Sequence, residues 1–265
     1  MEKKINLIIW LFNLKNNNMK PNLGMAIILP VFAVFFQSTF SQDNLYATIK
    51  DIPIPAGYSR ITTVKNSFVD WLRNLPLKKD KTVYLYNGYP KRNQTAQFAV
   101  INISVGNKDL QQCADAIMRL RAEYLYKEKR YVEIVFWDNN HHALRLGANK
   151  DQKEFDKYLE NVFARCGTIS LETQLTKLQN LNDLKPGDVL IQGGSPGHAM
   201  IVMDVAINKS GKKIFLLAQS YMPAQDIHVV INPMNHSLSP WFELNNHNII
   251  TPEWCFQNNH FRTWE

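Results

Sequence analysis

The stretch Leu184-Lys-Pro-Gly-Asp-Val-Leu-Ile-Gln-Gly-Gly-Ser-Pro-Gly-His198-Ala-Met-Ile-Val-Met-Asp204 constrains this chain most. Two apolar runs, residues 189–191 and 199–205, are separated by Gly193, Gly194, Pro196 and Gly197. Short apolar runs bounded by Gly/Pro clusters are strand signals. The pattern predicts a strand, a Gly-rich turn and a second strand headed by His198. An imidazole held on rigid backbone at the mouth of a sheet can act as general base for a nucleophile carried elsewhere. The competing reading is a structural histidine bonded to backbone.

The N-terminus addresses location. Residues 25–36 form an apolar core shorter than the ~20 residues a membrane-spanning helix needs. Lys20 precedes it, and Thr39-Phe40-Ser41 follows with small residues at the positions a signal peptidase reads. This predicts a secretory signal peptide over residues 1–41, with Met19 as an alternative start. A retained membrane anchor is the competing reading. Removal of the leader takes away Lys3, Lys4, Lys15, Lys20 and Glu2, so the net charge falls from +7 to +4. The remaining 224 residues, 42–265, suffice for one substantial core. Their basic residues are scattered and read as solvated loops, and no nucleic-acid module is present. Cys113, Cys166 and Cys255 all remain. An odd count leaves at least one thiol unpaired; a Cys166–Cys255 disulfide stays open. The histidines lack metal-ligand spacing, so neither a metal nor a cofactor is expected.

Residues 67–73 read as a short helix capped by Ser67 or Asn66 and stopped by Pro76. Residues 98–105 read as a strand. Residues 106–109 form a turn and cap for a helix over 110–126, where Cys113, Ile117, Leu120 and Tyr124 share one face. With Asp109 as cap, Cys113 lies about a turn inside that helix. A strand over 131–137, a helix ending at Arg165 and a short helix over 171–181 follow. Residues 186–230 are mainly β, and the tail is aromatic. A helix-rich part followed by a β-rich part predicts an α+β fold.

Several of these strings together resemble a known family. Cys113 on its helix, Lys185-Pro-Gly-Asp-Val-Leu-Ile191, Gly197-His198-Ala-Met-Ile-Val202 and Leu216-Leu-Ala-Gln219-Ser-Tyr221 resemble the NlpC-type cysteine peptidases over about residues 109–230. The resemblance implies a papain-like fold, in which a helix bearing the nucleophilic cysteine packs on a small antiparallel β-barrel. The barrel carries the histidine, and a polar residue on the next strand orients its ring. The expected organisation is a leader (1–41), an N-terminal extension packed on the main domain (42–96) and a papain-like domain with an aromatic tail (97–265). The chain also resembles, over about residues 50–264, a family of uncharacterised secreted bacterial proteins filed as a domain of unknown function. The strings that carry this are Asp109-Leu-Gln-Gln-Cys-Ala-Asp115, Arg119-Leu-Arg-Ala-Glu-Tyr124, Gly194-Ser-Pro-Gly-His-Ala199 and Leu217-Ala-Gln-Ser-Tyr-Met-Pro-Ala-Gln225.

The expected catalytic residues are Cys113, His198 and Gln219, with Gln111 and Gln112 as oxyanion donors. Cys113 has a competing reading as a small core residue, and free cysteine is among the most buried types. His228 and Asp226 rival Gln219 as the orienting group, and Ser195 rivals Cys113 as nucleophile. Ser220, Tyr221, Gln225 and Trp241 are the expected substrate-binding walls. The resulting expectation is an exported, periplasmic or extracellular cysteine hydrolase, an amidase or endopeptidase. Its partner would be a peptidoglycan peptide or similar small amide, bound by a monomer with no nucleic acid and no membrane span after leader cleavage. The alternative is a non-catalytic envelope protein that binds peptide or glycan in the same cleft. A purely structural envelope protein would have no cleft between Cys113 and His198.

Overall fold

A computed structural model describes residues 43–148, 151–245 and 247–264; the expected leader lies outside them. In chain order the elements are β1 (Tyr58–Arg60), α1 (Phe68–Arg73), β2 (Gln97–Val100), α2 (Cys113–Lys127), β3 (Val135–Trp137), β4 (Ala143–Arg145), α3 (Gln152–Arg165), α4 (Thr168–Gln174), β5 (Thr176–Lys177), β6 (Val189–Gln192), β7 (His198–Asn208), β8 (Lys213–Gln219) and β9 (His228–Val230). The tail adds β10 (Phe242–Glu243), β11 (Ile249–Ile250), β12 (Cys255–Phe256) and β13 (Phe261–Thr263). One nine-stranded sheet runs β2-β9-β8-β7-β6-β13-β5, with β1 paired to β7 and β10 to β8. All its pairings are antiparallel.

The sheet is covered on both faces, which is why β7 reads as an apolar run interrupted at Asp204. Ala199, Ile201 and Met203 enter a core shared with Ile117 and Leu120 of α2. Met200 and Val202 point the other way, into a core shared with Phe215, Phe256 and Phe261. Past the register shift between Val202 and Asp204 the parity reverses: Val205 joins the second core and Ala206 the first. A β-bulge inserts one residue and does just this. At the bulge the buried Asp204 carboxylate is held by Arg73 Nε at 2.8 Å and Arg60 Nε at 2.5 Å.

The Lys185-Pro-Gly-Asp string is a turn. The Asp188 carboxylate accepts the Lys185 N–H at 2.9 Å. Gly187 has φ +94° and leaves no room for a Cβ, which would meet Phe68 Cδ1 at 2.8 Å.

The expected papain-like arrangement, a helix packed on a small β-barrel, is not the fold. The strands form an open sheet: β2 and β5 end the path and pair only with β9 and β13. Among the described residues four α-helices accompany it. Strands from outside the His198 hairpin widen the sheet, β1 from residues 58–60 and β10 and β13 from the aromatic tail. No helix among the described residues is long and apolar enough to cross a membrane. All three cysteines are free, so Cys166 and Cys255 form no disulfide.

Candidate functional site

Helix α2 begins later than its apolar periodicity predicts. The Asp109 carboxylate is drawn off by the Ala224 N–H at 2.7 Å and the Gln112 amide at 3.2 Å. Asp115 instead accepts the Gln112 N–H at 2.9 Å, and Gln112 becomes the N-cap. Cys113 is therefore the first helical residue, where backbone N–H groups lack intrahelical partners. Burial, and after it the Asp115 carboxyl, push the thiol up to about 11, against the opposing pull of the nearby Ala199, Ala114 and Cys113 backbone N–H dipoles.

His198 stands at the start of β7, behind the Gly-rich turn. Gly197 is obligatory there, because a Cβ would lie 2.6 Å from both the Gly194 carbonyl oxygen and Thr168 Oγ1. The turn thus presses on the start of α4. Strands β7, β8 and β9 are neighbours, so His198, Gln219 and His228 meet at one end of the sheet. His198 Nε2 lies 2.7 Å from Gln219 Oε1. Gln219 Nε2 donates to Glu253 Oε2 at 2.7 Å and lies 3.4 Å from His228 Nε2. His228 Nδ1 faces the Asp226 carbonyl oxygen at 2.8 Å. Glu253 in turn is paired with Lys91 Nζ at 2.5 Å.

These contacts assign the protons. A carbonyl and a carboxylate only accept. The Gln219 N–H groups go to Glu253 and His228, so its oxygen faces His198. His198 then carries its proton on Nε2, and Nδ1 is left as the free basic atom. His228 is the opposite tautomer, protonated on Nδ1. Burial is the main cause that lowers His198 to about 4 and His228 to about 3. Both rings are thus neutral at pH 7. Tyr221, Trp254 and Phe256 box in the His198 ring, with centroids 4.7, 5.4 and 5.8 Å away.

Cys113, His198, Tyr221 and Trp254 line one cavity of about 680 Å³, together with Asp115 and Cys166. Gln112 lines it too, but Gln111 does not: its Oε1 accepts from Arg119, and it lines a separate groove of about 210 Å³. Of the expected walls only Tyr221 faces the cavity. Ser220 is buried, its hydroxyl 2.8 Å from the Gln225 carbonyl oxygen and 3.1 Å from that of Gln111, and so ties β8 to the turn before α2. Gln225 is buried behind it. Trp241 is a core residue, 1% exposed, whose Nε1–H donates to the Pro53 carbonyl. Asp226 binds Lys78 at 2.8 Å and the Tyr84 N–H at 3.0 Å, so its carboxylate does not orient His198. Ser195 lines the cavity without a hydrogen bond to His198 among the described residues.

Sequence reasoning missed Glu253, Lys91 and Asp115. Nothing in the spacing of residues 91, 219 and 253 links them. Asp115 carried one available signal, an acid two residues after a cysteine and three after a helix N-cap.

A family model described as Domain of unknown function (4846) matches residues 49–148 and 138–263. No curated protein and no solved structure matches the chain.

Proposed function

The chain belongs to the family described as Domain of unknown function (4846), and from its site we propose that it is a cysteine hydrolase acting on an amide. The observation that carries the reading is the paired placement of Cys113 and His198. One sits at a helix start and the other at a strand start, and both line the same cavity.

Both groups rest neutral, so the proton moves as the substrate reacts. His198 Nδ1 takes the thiol proton while Sγ bonds to the amide carbon. The N–H groups of Cys113 and Ala114 hold the resulting oxyanion. The C–N bond breaks as imidazolium returns the proton to the leaving amine, giving a thioester. Water, deprotonated by His198, then releases the acid and restores the thiol. Gln219 keeps Nε2 occupied and the ring in place.

The proposed substrate is a cell-wall peptide or a similar small amide, met outside the cytoplasm after removal of the leader. Soluble muropeptides followed by mass spectrometry test this. Cleavage by the wild type and a loss of at least ~10³-fold in Cys113→Ala support it. Cleavage retained in Cys113→Ala overturns it. A second reading, binding without turnover, is favoured by the raised thiol. It predicts that wild type and Cys113→Ala bind muropeptides equally in calorimetry and that neither cleaves them.

A further inference from the structure

The proposed mechanism needs His198 to present Nδ1, not Nε2, to the thiol. Gln219 alone does not ensure this. A primary amide offers a carbonyl at one end and an N–H group at the other, in nearly the same shape. Turned by 180°, Gln219 would donate to His198 Nε2, and the imidazole proton would move to Nδ1. His198 could then no longer take a proton from Cys113 at that atom.

What forbids the turn lies on the far side of the amide. Glu253 Oε2 is 2.7 Å from Gln219 Nε2, and an ionised carboxylate cannot donate. With the amide turned, two oxygens would face each other in a buried site; Gln219 itself is 1% exposed. Lys91, 8% exposed, pairs with the same Glu253 oxygen at 2.5 Å, and Asn93 Nδ2 lies 3.4 Å from the other. His228 Nε2 takes the second Gln219 N–H. The His198 ring also packs against those of Tyr221, Trp254 and Phe256. The charged groups that face this cluster are Glu253 and Lys91.

We infer that Glu253 is a positioning residue: acting through Gln219, it fixes the tautomer of His198 and so the atom that serves as base. This rests on the hydrolase reading for its purpose, not for its geometry. Glu253 has a second consequence. Once His198 becomes imidazolium, a carboxylate stands one hydrogen bond behind the neutral amide and favours that charge.

The experiment uses protein labelled with ¹⁵N-histidine, with nitrogen shifts read at neutral pH, and acylation of Cys113 by 4-nitrophenyl acetate. In wild type, His198 is expected wholly as the Nε2–H form and His228 as the Nδ1–H form. In Glu253→Gln the neighbouring amide can donate as well as accept, so His198 should show both tautomers. Cys113 acylation should fall about tenfold, one pKa unit in the stability of the imidazolium. Glu253→Asp should restore a single tautomer. His198 in the Nδ1–H form in wild type overturns the inference without any variant. So does a folded Glu253→Gln protein whose His198 stays wholly Nε2–H. If wild-type Cys113 is not acylated while the tautomers behave as expected, the hydrolase reading fails and the role of Glu253 in positioning stands.

Discussion

Asp115 is a carboxyl group 6% exposed at the first turn of α2, with one oxygen on the Gln112 N–H and the other buried without a partner. Burial raises it from 3.8 to about 8. Between those values the folded protein holds a proton that the unfolded chain has released. Stability from this group is therefore complete below about 4 and is lost as the pH rises through about 8. The slope is about 1.4 kcal/mol per pH unit, which amounts to about 3 kcal/mol between pH 5 and pH 7. Asp115→Asn keeps an oxygen for the Gln112 N–H and never ionises. The variant should gain on the wild type by that slope up to about pH 8 and by nothing further above it. Urea unfolding followed by tryptophan fluorescence at pH 5, 6, 7, 8 and 9 measures the difference. Asp188, raised to about 6, and His198 and His228, lowered to about 4 and 3, titrate in both proteins and cancel. A stability difference that stays constant from pH 5 to pH 8 refutes the reasoning.

Arg73→Met leaves the fully buried Asp204 with Arg60 as its remaining guanidinium partner and should destabilise the protein by about 3 kcal/mol in urea unfolding. A loss below about 1 kcal/mol would mean that the bulge re-solvates Asp204 at little cost. Trp241→Phe removes the bond to Pro53 and part of a filled core site, and should cost about 1–3 kcal/mol while Cys113 acylation is unchanged. Slower acylation without lost stability would return Trp241 to the substrate-binding wall.

Local signals in the sequence sufficed wherever neighbours along the chain decide the outcome. The strand–turn–strand around His198 is legible because glycines, Pro196 and short apolar runs determine it locally. Helix α1 is legible from Ser67, whose hydroxyl accepts the Asp70 N–H at 3.2 Å. The His198–Gln219 pairing is anticipated only through the family resemblance, and the register of β7 and β8, shifted by a bulge, is not legible locally. Tertiary structure decided the rest. Helix α2 starts at Cys113 because Ala224, over a hundred residues away, claims the Asp109 carboxylate. The sheet stays open and grows to nine strands because residues 58–60 and the aromatic tail add strands that no local periodicity announces. Trp241 became core and Glu253 joined the site through the path of that same tail. A residue type and its near neighbours carry hydrogen-bonding capacity and backbone preference, but which carboxylate meets which amide is settled only when distant segments pack together.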